Sequence, residues 1–305
     1  MRITNRLMVA ALVLSCCGCG SEKNFSTTGG DVTIACDEGV FPVISILVDD
    51  FQRQYPAARI NLRKLEGRAA VSEFAMDSVR YIILGREFDK EERDALSTIS
   101  IDLQEYKVAM SAVAVIGNRS NPVSNLRLTQ LDSMLSGDAT GWLHGKRAGT
   151  DVAIGGPNSS TNSIVRSTRL SGRSLTSTAT PFPDSPDLIR YVKENPNSLG
   201  IISLSWVVGE EDNLRVFALG QPGTRPDSTE PLGRYYTPVQ AHVHRKYYPL
   251  TMPVYIYRRE VLPDVGYGFI SYATSGAGQK IFLNNGLVPV TMPVRLVSIT
   301  SKEVN

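Results

Sequence analysis

The strongest constraint on how this chain folds is an alternation of buried-strand and amphipathic-helix patterns running from Val32 to Gly286. VTIAC (32–36) reads as a buried strand. Behind it Ile44, Leu47, Val48, Phe51 and Tyr55 recur at helical spacing, and Pro42 suits the first turn. INLRKL (60–65) alternates as a strand should, RAAVSEFAM (68–76) reads as a short helix, and VRYIILG (79–85) as a second buried strand. DKEERDAL (89–96) opens on Asp89 with Glu92 three residues later, a capping-box arrangement. YKVAMSAVAVIGN (106–118) is a longer apolar strand. LTQLDSMLSG (128–137) reads as a helix capped by Thr129 and ended by Gly137, and DVAIGG (151–156) as a strand. SPDLIRYVKENP (185–196) carries a helix start and a proline stop. LGIISL, LRVFAL and PVYIYRR (253–259) are strands, and residues 265–286 suggest two short helices. Such alternation implies an α/β fold with largely parallel sheets.

The N-terminus carries an address. Residues 1–19 open on Arg2 and Arg6 and continue with an apolar run over Leu7–Leu14. That run is too short to span a bilayer, and its layout is that of an export signal. The cysteine cluster resembles a bacterial lipobox, with Cys16 or Cys19 as the lipidated residue. A soluble secreted protein with a cleaved signal is the plainer alternative, but it leaves three clustered cysteines without a job. Residues 20–30 read as a flexible tether. The chain is expected on the cell envelope, lipid-anchored and facing the periplasm or the cell surface.

Losing that signal balances the charge. Lys and Arg number 32 against 30 Asp and Glu, and Arg2 and Arg6 leave with the signal. A formal charge near zero argues against a nucleic-acid binder, which needs a basic face. Beyond the lipobox only Cys36 remains, so there is no disulfide framework and no thiolate zinc site. No cofactor is expected.

GGPNSSTNSIVRS (155–167) places Asn158, Ser159, Ser160 and Thr161 between a strand and a helix. The first N–H groups of a helix lack internal partners, and its dipole is positive there, so an anion fits. Hydroxyls add donors that adapt to a tetrahedral oxyanion. The plain alternative is that one of these residues is only an N-cap. Three further strand–loop–helix junctions follow the same plan: CDEGVFP, KLEGRAA with Gly67, and ILGREFDKEE with Gly85 and Arg86. In open α/β sheets ligands bind beyond the carboxyl ends of strands. Several such loops meeting in one cleft would cage an oxyanion without a metal.

IACDEGVFPVISILVDDFQRQYP, SVRYIILGREFDKEE, AVAVIGNRSNPVSNLRLTQLDSMLSGDATGW, NPNSLGIISLSW, YYPLTMPVYIY and GAGQKIFLNNGLVPV follow one another in a distinctive order and spacing. On these stretches, over about residues 31–299, the chain resembles the periplasmic phosphate-binding proteins of ABC transporters, in the type II periplasmic binding protein superfamily. The resemblance implies two α/β lobes with mixed sheets flanked by helices, joined by two crossover strands and closing on a ligand. Lobe one would be 31–108 plus 258–305 and lobe two 109–257, crossed by YKVAMSAVAVI and PVYIYRR. It also implies phosphate or a similar oxyanion as ligand, an ABC permease as partner, a membrane contact only through the N-terminal lipid, and a monomer.

The carried-over site departs from the family pattern. The S-G-T of the family matches Ser159, Ser160 and Thr161, with Ser160 in place of glycine. Gly155 stands where the family often has arginine. The loop after the second strand offers Gly67 and Arg68. The S-D-x-P-L turn aligns with GREFD, so Gly85 and Arg86 fall there, and the first loop is Asp37-Glu38-Gly39-Val40. Arg86 could restore the missing cation. Asp37 or Glu38 could accept a proton from phosphate, which would reject fully ionised sulfate. Alternatively Asp37 and Glu38 only cap the next helix, and Arg86 pairs with Glu87 or Asp89 on the surface.

Other constellations are weaker. Ser159, Ser160, His144 and His242 could enter a hydrolase triad, but no G-x-S-x-G elbow is present. His242 and His244 would share one face of a strand, without an evident third zinc ligand. Trp142 and Trp206 are expected to pack at lobe edges, and YRR (257–259) to form a solvated hinge end. The expectation is a binding protein and not an enzyme. The competing class is a non-transporting envelope sensor or scaffold with the same fold, or a binder of a different small anion.

Overall fold

The computed structural model describes residues 26–99, 101–138, 150–171, 173–220 and 234–291. Cys16, Cys19, Trp142 and His144 lie outside them. The first stretch runs β1 (Gly30–Asp37), α1 (Phe41–Gln54), β2 (Ala58–Leu65), α2 (Gly67–Ala75), β3 (Tyr81–Leu84) and α3 (Lys90–Thr98). Pro42 sits in the first turn of α1, where its missing N–H has no helical partner to lose. Asp89 and Glu92 form the expected capping box of α3. The apolar face of α1, with Ile44, Leu47, Val48 and Phe51, is buried against the sheet.

β4 (Gln104–Asn118) follows, then β5 (Asn125–Arg127), α4 (Leu128–Ser136), β6 (Asp151–Gly155), α5 (Ser160–Arg169), β7 (Thr180–Phe182), α6 (Ser185–Glu194) and β8 (Ser198–Ser203). The chain ends with β9 (Leu214–Val216), β10 (Ala218–Gly220), α7 (Gln240–His244), β11 (Thr251–Arg258), α8 (Val265–Thr274), α9 (Gly276–Asn284) and β12 (Val288–Pro289).

The main sheet has the order β2-β1-β3-β11-β4-β8-β6-β7, with β9 and β12 also paired to β4. Its two ends are parallel (β2-β1-β3 and β8-β6-β7), while its centre is antiparallel. β4 links the two halves. Its Gln104–Ala112 stretch pairs with β11, and Val113–Gly117 pairs with β8. One strand can do this because nearly every residue from Val108 to Gly117 is buried. The result is a mixed α/β architecture in which the carboxyl ends of β1, β3 and β6 face a cleft between the halves, as at the switch point of an open sheet.

Four local expectations are corrected. Thr129 lies inside α4; the cap residue is Arg127, whose N–H donates to Gln130 Oε1 at 3.0 Å, while Gly137 ends the helix in the left-handed region (φ 82°). LRVFAL is not one strand. Phe217 is buried against Gly117, leaving β9 on β4 and β10 on β5. His242 and His244 stand on helix α7, where residues two apart are turned by about 200° and cannot share a face. His242 Nδ1 lies 2.9 Å from the Thr237 carbonyl. Tyr257 and Arg258 are no solvated hinge: β11 is an inner strand, Tyr257 is fully buried, and the Arg258 guanidinium lies 4.5 Å from the Tyr267 ring centre. No helix among the described residues is long and apolar enough to cross a membrane.

Candidate functional site

Asp37 ends β1, and the chain then tightens into a 3-10 turn over Glu38–Val40 before α1. The Asp37 carboxylate is wholly buried. One oxygen accepts the Gly39 N–H at 3.2 Å, and the other accepts the Gly85 N–H at 2.9 Å from the end of β3. Gly67, first residue of α2, closes a third side: a Cβ there would lie 2.4 Å from Ser160 Oγ and 3.6 Å from Asp37 Oδ2. Ser160, first residue of α5, comes from the opposite half; its hydroxyl is buried and completes no hydrogen bond of ordinary geometry among the described residues. Burial pushes the Asp37 carboxyl above its usual range, against the lowering effects of Ser160, the two amides and the Arg86 charge.

The structure thus brings Asp37, Gly39, Gly67, Gly85 and Ser160 to one point. Met252 is there too, a residue outside the expected set. It is wholly buried, its methyl 3.1 Å from where a Gly39 Cβ would be and 1.9 Å from a Gly85 Cβ. It lies in YYPLTMPVYIY, one of the stretches that carry the resemblance. Val40 is buried in the core and contributes no polar side chain.

Around this point the halves are tied together. The Arg68 N–H donates to the Asn158 carbonyl at 3.1 Å. The Glu38 carboxylate accepts both the N–H and the hydroxyl of Ser185, each at 3.0 Å, and the Glu38 carbonyl accepts Trp206 Nε1 at 2.9 Å. Trp206 therefore stands at the boundary between the halves, held there by a polar bond. Lys64 pairs with Asp184. Burial pushes the Glu38 carboxyl up to about 7, opposed by the Ser185 bonds and helped by the nearby Asp37 charge.

Arg86 pairs with neither Glu87 nor Asp89 through their carboxylates. Its guanidinium is held by Glu92 in a bidentate pair (2.6 and 2.7 Å), and both side chains are only 7% exposed. Glu92 also accepts the Asp89 N–H, so the capping box of α3 sets the Arg86 position. Arg68 is half-exposed and lies 3.2 Å from Asp89 and 3.4 Å from Glu91.

Outside the Asp37 point the cleft opens into a cavity of about 430 Å³. Arg68, Arg86, Asp89, Lys90 and Glu91 line one side; Pro157, Asn158, Ser159, Ser163, Arg166 and Ser167 line the other. Ser159 is the N-cap of α5, accepting the Asn162 N–H at 3.3 Å, and its hydroxyl lies 3.1 Å from that of Thr161. Capping and cavity lining are compatible, since one side-chain oxygen leaves the other first-turn amides of α5 unspent. Four cationic side chains against two carboxylates, over a helix start, suit a polar anion.

Known proteins share this architecture. A family model described as a PBP superfamily domain matches residues 22–277, and the chain belongs to that superfamily. Protein SphX of Synechococcus elongatus is 23% identical over 269 residues, covering 85% of this chain and 77% of that one. The phosphate-binding protein PstS of Staphylococcus aureus is 22% identical over 257 residues, covering 82% and 75%. Among solved structures, a phosphate ABC transporter substrate-binding protein with bound phosphate from Clostridium perfringens superposes with a TM-score of 0.74 at 23% identity, covering 86% of this chain and 100% of that one. An ABC-type phosphate transport receptor from Vibrio cholerae gives 0.65 at 18% identity, with the same coverage. The fold is that of the type II periplasmic binding proteins.

Proposed function

We propose that this protein is an extracytoplasmic solute-binding protein that captures phosphate, or a tetrahedral oxyanion like it, between two lobes and presents it to an ABC permease. Family membership supports the class, and the relatives named for phosphate support the ligand. The observation that carries the reading is the cavity between Arg68, Arg86 and Lys90 on one lobe and Ser159, Ser163 and Arg166 on the other, over the first turn of α5. An anion there touches both halves, so its binding favours the closed arrangement by population shift. We assign lobe one to 31–108 plus 258–305 and lobe two to 109–257. The mature chain is proposed to be a monomer, tethered to the envelope by a lipid on Cys16 or Cys19. The protein is read as a carrier and not a catalyst.

Calorimetric titration of the full chain in detergent with phosphate and sulfate, at two pH values, tests this. Heat with phosphate supports capture. Absence of heat with either anion favours the second reading, a non-transporting sensor or scaffold. One observation favours that second reading: the amides at the sheet ends face the Asp37 carboxylate and the Met252 methyl.

A further inference from the structure

The amides of Gly39 and Gly85 come from two separate loops, yet each donates to an oxygen of a single carboxylate. The Ser160 hydroxyl, from the opposite half, is 1% exposed and faces the same group. Two backbone amides directed at one carboxylate, with a buried hydroxyl of the opposite half beside it, resemble the donor set an oxyanion needs in such a cleft. Here the anionic group is the chain's own side chain. The Met252 methyl packs beside it, against Gly39 and Gly85, and narrows the remaining space. The nearby cation, Arg86, is already engaged bidentately by Glu92. A phosphate arriving beside Asp37 would therefore meet a carboxyl group that already holds the amides it needs.

We propose that Asp37 is a built-in competitor for the anion seat, so that phosphate reaches the amides of Gly39 and Gly85 only by displacing the Asp37 carboxylate. This rests on the phosphate-capture reading and deepens it by naming the residue that sets affinity. It is opposite in sign to a role for Asp37 as acceptor of a phosphate proton. An acceptor strengthens binding by its presence; a competitor weakens it.

The test is titration of the full chain in detergent with inorganic phosphate, comparing the native protein with Asp37→Ser and Asp37→Asn. Serine keeps a short capping oxygen and empties the seat. Asparagine keeps the shape and removes the charge. Competition predicts that Asp37→Ser tightens phosphate by about tenfold or more, and that Asp37→Asn tightens it by a smaller factor. Should Asp37→Ser fail to fold, as judged by its melting transition, Asp37→Asn carries the test alone. Unchanged or weaker binding in the folded variants overturns the proposal. Heat in the native protein without gain in the variants removes the competitor and leaves phosphate capture standing. Absence of heat in the native protein and both variants removes both.

Discussion

Glu38 and Ser185 form a two-point clamp across the cleft: the serine N–H and hydroxyl both donate to one carboxylate, at 3.0 Å each. The clamp joins the turn after β1 to the first residue of α6.

Burial pushes the Glu38 carboxyl up to about 7, from the 4.5 of an ordinary glutamate. Between these values the folded chain binds more protons than the unfolded chain, so this group's contribution to stability falls as pH rises through that window. It is fully present below 4.5 and lost above about 7. Glu38→Gln keeps an acceptor for the serine N–H and removes the titration. Melting temperatures at pH 5, 6, 7 and 8 should show Glu38→Gln flattening the slope and exceeding the native protein at pH 8. Parallel slopes for the two proteins would contradict the assignment.

The Arg86–Glu92 pair is buried and bidentate. Glu92→Ala removes one partner and strands the other charge, at a cost of about 3–5 kcal/mol in denaturant unfolding. Glu92→Gln retains part of the cap and should lose less. A loss below about 1 kcal/mol for alanine would mean that Arg86 finds water instead.

Met252 fills the space beside Gly39 and Gly85. Met252→Ala should destabilise by about 2–5 kcal/mol, the range for emptying a core methionine site, measured by urea unfolding. A near-neutral result would show that the loops close over the gap.

Arg68 and Arg166 face each other across the cavity from α2 and α5. Each is expected to contribute through solvent-screened attraction. Arg68→Ala and Arg166→Ala should each weaken phosphate binding by about twofold to fivefold, less at high salt. Binding unaffected by both substitutions would move the ligand out of this cavity.

Much of the architecture was legible in local chemistry. Pro42, the Asp89–Glu92 capping box and Gly137 act within one helical turn, and each works where the residue pattern places it. Errors fall where local signals run out. α7 spans five residues, too few for a helical period to stand out from a strand alternation in HVH. LRVFAL has one propensity throughout, and only the packing of Phe217 against Gly117 divides it. The partner of Arg86 lies a helical turn beyond the acids nearest in sequence, because Glu92 is turned inward by its cap.

The sequence by itself determined the strand–helix alternation, the loops at the strand ends and the resemblance to solute-binding proteins, since periodicity, caps and turn residues are short-range properties. Only the tertiary structure decided what stands where those loops meet. Asp37, Gly67, Gly85, Ser160 and Met252 are far apart along the chain, and their neighbourhood is set by how β1, β3 and β11 pair and how the halves close. Whether a carboxylate seeks a ligand or is already held by amides depends on three-dimensional contacts that no local pattern encodes.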